Sequence, residues 1–105
     1  MKLEDMSFMD YMQAEYGWKE KQKGAGIMIH ELKILPEYYE EVKAENKNFE
    51  LRKNDRDYMV HDTLRLKAWD GEKYLDKAPL DRTIKYILMD CPEYGLMDGY
   101  VILGF

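Results

Sequence analysis

Cysteine is almost missing from this 105-residue chain: Cys91 stands alone, so no intrachain disulfide framework exists and a reducing cytoplasm is the expected setting. Histidine is nearly as scarce. His30 and His61 are far apart and far from Cys91, which leaves no metal-ligand spacing, no base beside the thiol, and no cofactor to expect. Long apolar runs are also absent, and the charged first residues carry no hydrophobic stretch of the signal-peptide kind, so no membrane partner is expected. Nor is there an excess of positive charge. The formal net charge of −5 excludes a protein that coats nucleic acid by electrostatics alone, because such proteins need a cationic surface to displace counterions.

The length allows one domain with a modest core. Residues 1–26 read as an N-terminal helical appendage and a joint. Leu3, Met6, Met9, Met12 and Tyr16 recur every three or four positions among acidic residues, predicting a short amphipathic helix that ends at Gly17. Its stripe is expected to dock on the domain's own surface or to make a homodimer or partner contact. Lys19–Lys23 is a solvated charge run, and Gly24-Ala25-Gly26 is a flexible joint.

Residues 27–105 read as the folded domain. Ile27–Ile34 is a predicted strand with His30, Leu32 and Ile34 on one face and Glu31 and Lys33 on the other. Pro36 fits the first turn of a helix, and Glu37 suits its positive end. Tyr38, Tyr39 and Val42 supply that helix's apolar face, Glu40 and Glu41 its outer side, and Asn46 its left-handed cap. Thr63–Trp69 alternates as a half-buried strand with Arg65, Lys67 and Trp69 on one side, followed by a turn at Asp70-Gly71. Arg82–Met89 is expected as one further strand with Ile84, Tyr86 and Leu88 on one side. Asp90–Asp98 is a turn-rich loop, and Tyr100–Phe105, apolar on both faces, is a central strand.

Charge concentrates between the helix and Thr63. In Phe49-Glu50-Leu51-Arg52 apolar and ionic residues alternate, so Phe49 and Leu51 are expected to face the core and Glu50 and Arg52 to face away together. Lys47 enters just before and can reach the same side. From residue 43 to 57, Lys43, Lys47, Arg52, Lys53 and Arg56 outnumber Glu45, Glu50, Asp55 and Asp57 by one, enough to anchor one phosphate or one nucleotide. Arg52 offers a fork of donors, Lys47 a point charge, and Glu50 an acceptor for exocyclic amines. The bland account of the same trio is an ion pair bracing a solvated face.

Lys47-x-x-Glu50-x-Arg52, with Asn54-Asp55-Arg56-Asp57-Tyr58 after it, resembles the signature of the ASCH (activating signal cointegrator homology) family of the PUA-like superfamily. His30–Pro36, Val60-x-Asp62-x-Leu64-x-Leu66 and Gly99–Gly104 resemble, in order, further strands of a small bacterial and phage branch of that family. The resemblance covers about residues 29 to 105. It implies an α+β fold: a small PUA-like β-barrel of five or six strands with one or two short helices, and a ligand cleft beside the Lys-x-x-Glu-x-Arg segment. The family carries glycine where this chain has Glu45 and again where it has His61, positions at which glycine permits positive φ or close backbone approach.

Three functions follow as expectations. The first is a module binding single-stranded RNA or a nucleotide-like ligand through Lys47, Glu50 and Arg52, with Arg65, Lys67 and Trp69 extending the surface as a stacking platform and its cations. The second is a small amidohydrolase acting on an acetylated nucleoside, with Lys47 and Glu50 catalytic. Its ASCH counterparts carry a threonine at the place of Glu50, and a carboxylate there favours the charged lysine over the neutral, reactive one. The third is a non-catalytic interaction or scaffold subunit.

Overall fold

The alternation of Ile29–Ile34 forms strand β1, which turns His30, Leu32 and Ile34 inward and Ile29, Glu31 and Lys33 outward. The chain is described here by a computed structural model over residues 27–105. The appendage expected over residues 1–26, including its amphipathic helix, lies outside the described residues.

Helix α1, Pro36–Lys43, starts on proline because the first-turn N–H would lack an intrahelical partner in any case. It buries Tyr39 and Val42 but leaves Tyr38 exposed, so the expected three-residue face is narrower by one. The helix stops in a paired hydrogen-bond motif in which the N–H of Glu45 donates to the Val42 carbonyl (3.0 Å) and that of Asn46 to the Glu41 carbonyl (2.9 Å). The left-handed residue of this motif is Glu45, with φ 65°, one position before the expected Asn46.

Five more strands follow: β2 (Phe49–Lys53), β3 (Thr63–Ala68), β4 (Leu80–Thr83), β5 (Tyr86–Leu88) and β6 (Tyr100–Gly104). They form two three-stranded sheets. Sheet A runs β1-β3-β4, with β1 parallel and β4 antiparallel to β3; sheet B runs β2-β6-β5, all antiparallel. The parallel β1–β3 pair requires a crossover, which α1 and β2 supply. Leu32, Ile34, Leu64, Leu66 and Ala68 from sheet A, Ile87, Val101 and Leu103 from sheet B, and Tyr39 and Val42 from α1 form one core, with Ile84 buried at the turn between sheets. Each fully buried leucine, isoleucine or valine among them contributes about 1.5–3 kcal/mol.

Three expectations change. The sheets do not close into a barrel. No backbone ladder joins β1 to β2; instead Arg52 Nη2 donates to the Lys33 carbonyl (2.5 Å) and Arg56 Nη1 to the Glu31 carbonyl (3.0 Å). Those two carbonyls lie on the edge of β1 away from β3, since those of Met28 and Ile34 accept from Thr63 and from Trp69, just past the end of β3. Guanidinium groups therefore cover an edge that would otherwise present bare acceptors.

Second, β2 is inverted relative to expectation. Glu50 is 5% exposed and Arg52 half-buried on the core side, whereas Phe49 and Leu51 are exposed. A period of two defines two faces without saying which is inside, and here the inward ionic groups satisfy one another. Third, Arg82–Met89 is two strands in different sheets, broken at Ile84-Lys85. The phase shifts there: Ile84 and Ile87 are buried, and Tyr86 and Leu88 point out. By contrast, β3 holds Leu64, Leu66 and Ala68 inward with Arg65 and Lys67 on its other side, and β6 is the central strand of sheet B.

Candidate functional site

Lys47, Glu50 and Arg52 converge, as their spacing predicts, but beneath the sheet rather than on its solvated face. The left-handed turn at Glu45 reverses the chain after α1, and the Lys47 N–H donates to the Glu41 carbonyl (3.1 Å), which sets the lysine beside the start of β2. From there its ammonium donates to the Phe49 carbonyl (2.7 Å) and to Glu50 Oε2 (2.5 Å). On the other side of the carboxylate, Arg52 Nε donates to Glu50 Oε1 (3.1 Å), and Nη2 lies 3.0 Å from the same oxygen. The Glu50 side chain is 6% exposed, those of Lys47 and Arg52 17% and 24%. The anion is thus internal and both cations border solvent.

The Lys47 ammonium also sits over two rings, 4.8 Å from the centroid of Phe49 and 5.4 Å from that of Tyr38. Within the described residues Arg52 uses Nε and Nη2 and leaves its Nη1 group over. Lys47, an ammonium with three protons, uses two acceptors. The site therefore holds a fixed internal anion and unused cationic donors at its rim, a pattern suited to an oxygen anion or a planar acceptor edge.

Arg65, Lys67 and Trp69 form a second group on the outer face of sheet A. Arg65 grips Asp81 with two parallel hydrogen bonds (2.9 and 3.0 Å), and this pairing raises the arginine's pKa and holds the Asp81 carboxyl below the usual carboxylate range. Lys67 approaches Glu31 (3.4 Å) and lies 4.9 Å from the Tyr74 ring centroid. Lys33 lies 4.6 Å over the Trp69 ring. Trp69 is followed by the expected turn, in which Asp70 Oδ1 accepts the N–H groups of Lys73 and Glu72; those bonds keep its carboxyl below the ordinary range. The link between the groups is Lys33, whose carbonyl takes Arg52 and whose ammonium covers Trp69.

One buried polar pair lies outside the groups that the sequence patterns imply. His30 and Asp62 meet at 2.8 Å (Nε2 to Oδ2), both buried, and Asp62 also accepts the N–H groups of Met59 (3.1 Å) and Met28 (3.2 Å). The edge of His30 packs against Tyr58 (centroids 4.8 Å apart), whose hydroxyl pKa is raised by burial. His30 falling on the apolar face of β1 was the available signal, since a histidine so placed needs a buried partner. Asp62 serves that need and ties the start of β1 to the turn before β3. In this turn His61 has φ 83°, and its N–H donates to the Ile84 carbonyl (2.9 Å).

Among the described residues, no helix is long and apolar enough to cross a membrane. No curated protein matches the chain. Residues 29–105, which hold both sheets, the helix and the Lys47–Glu50–Arg52 cluster, match the family model described as "Domain of unknown function (DUF3850)", and the protein belongs to that family.

Proposed function

We propose that the protein is a binding module for single-stranded RNA or a nucleotide-like ligand, seated where Lys47, Glu50 and Arg52 border the seam between the sheets. Glu50 carries this reading. A core-facing strand position needs only an apolar side chain for stability, and an internal carboxylate between two cations is costly to desolvate and often no more stabilising than a hydrophobic replacement. What the trio adds is orientation. Glu50 fixes both cations, and their remaining donors suit one phosphate or the acceptor edge of a base.

Trp69, reached through Lys33, supplies a ring for stacking, with Arg65 and Lys67 on the same sheet face. The likeness of Lys47-x-x-Glu50-x-Arg52 to the ASCH signature supports the same site and the kinship to PUA-like folds. The local excess of one positive charge over residues 43–57, within a chain of net charge −5, suits a ligand of one or a few phosphates rather than a long polyanion.

Titrating a fluorescein-labelled oligouridylate by polarisation at two salt concentrations tests this reading. Wild type is expected to bind with a shallow salt slope. Lys47→Ala and Arg52→Lys should bind at least about tenfold more weakly, a loss of roughly 1.4 kcal/mol, while Lys53→Ala on the opposite face binds as wild type. No binding by wild type, or equal affinity in all four proteins, removes the reading.

A further inference from the structure

Sheet B carries more apolar surface than its one core can use. Along its registered rows, Phe49 lies beside Gly104 and Tyr86, and Leu51 beside Ile102 and Leu88. This is the outward face, and Phe49, Leu51, Tyr86 and Leu88 are all exposed, Leu51 at 57% and Tyr86 at 63%. An antiparallel sheet with one solvated face shows polar residues there; strands apolar on both faces belong to sheets covered on both sides. The inversion of β2 sharpens the point, because its ionic residues go inward and its apolar residues outward.

The fringe of this face is basic. Lys53 lies on this face at the end of β2, Lys85 precedes β5, and both are exposed. A second copy packed symmetrically on the same face would bring like charges together. The complementary surface is written at the other end of the sequence. Residues 3–16 carry the apolar stripe Leu3, Met6, Met9, Met12 and Tyr16 with Glu4, Asp5, Asp10 and Glu15, against Lys2 as the one nearby base. Residues 17–28 can span roughly 40 Å when extended, more than the about 30 Å diameter of a small domain.

We propose that residues 3–16 dock in cis, through this stripe, on the outer face of sheet B formed by Phe49, Leu51, Ile102, Tyr86 and Leu88. Tethering supplies the effective concentration, apolar burial the affinity, and the acidic flanks the orientation between Lys53 and Lys85. Methionine suits the role, since its flexible side chain fits an uneven surface of aromatic and branched residues.

The test uses the full chain. In a Cys91→Ser background, a nitroxide placed at Ala14→Cys, off the stripe, should broaden the amide resonances of Leu51, Leu88 and Ile102 and spare those of Arg65 and Lys67. Adding Leu51→Glu, which sets a carboxylate against the acidic segment, should restore the signals. Unbroadened sheet B signals, or broadening that survives Leu51→Glu, overturns the proposal. So does broadening that arises only when nitroxide-bearing protein is mixed with isotope-labelled protein lacking the nitroxide, since the occupant is then a second molecule's segment. None of these readouts depends on nucleotide binding.

Discussion

The guanidinium of Arg52 reaches out of sheet B and donates to the Lys33 backbone carbonyl on the edge of sheet A at 2.5 Å. With Arg56 on the Glu31 carbonyl two residues away, it takes the place of a β1–β2 ladder. A charge-assisted hydrogen bond of this kind contributes about 1.5–3 kcal/mol. Arg52→Ala combined with Arg56→Ala should therefore lower stability by a few kcal/mol, less than twice that figure because both guanidinium groups border solvent. Amide exchange should accelerate in β1 before the rest of sheet A. Uniform acceleration across both sheets would show that the seam has no separate role.

Glu50 makes a sharper case, because removing it leaves two cations facing an internal position. Glu50→Ala should destabilise the domain by about 3–5 kcal/mol. The double variant Lys47→Met/Glu50→Leu should recover most of that loss in denaturant unfolding while abolishing oligouridylate binding. A double variant as unstable as Glu50→Ala would mean that the trio is needed for the fold itself.

Asp62 accepts from His30, Met59 and Met28 while buried. Asp62→Ala strands the His30 and Met59 donors in buried positions and the Met28 N–H in a partly buried one; each unsatisfied buried group costs about 1–3 kcal/mol, so the variant should lose several kcal/mol of stability. Asp62→Asn, which keeps an acceptor oxygen, should lose less. Thermal unfolding of the pair measures the difference; equal melting temperatures would contradict it.

Among the described residues four side chains occupy backbone conformations that favour glycine, at Glu45 (φ 65°), Asp57 (φ 55°), His61 (φ 83°) and Asp90 (φ 58°); Glu45 and His61 stand where the resembling family carries glycine. Left-handed geometry costs a residue with a Cβ about 1–2 kcal/mol, partly offset by the greater unfolded-state freedom of glycine. Glu45→Gly and His61→Gly should each raise stability by roughly 0.5–1 kcal/mol. A fall in melting temperature would show that the side chain has a compensating role.

The sequence is legible where hydrophobic alternation meets a single core. β1 and β3 have the faces their pattern implies, with Leu32 and Ile34 opposite Glu31 and Lys33, and Leu64 and Leu66 opposite Arg65 and Lys67. It misleads at β2, where alternation gives two faces and the ionic one, being self-satisfied, goes inside. It misleads again at Ile84, where the chain leaves one sheet for the other and a continuous pattern hides the break. The convergence of Lys47, Glu50 and Arg52 follows from their spacing. Their depth does not, nor does the His30–Asp62 pair, because contacts between residues 32 apart leave no local signature.

Amide ladders between strands are largely indifferent to the ions dissolved around them. The join between β1 and β2 is different, since it consists of two arginine side chains resting on two carbonyls. Guanidinium chloride resembles those arginine heads chemically and competes for the same oxygens, whereas urea lacks their charge. The domain therefore has a flank that loosens with the ionic character of the medium, and the two denaturants should rank its stability differently.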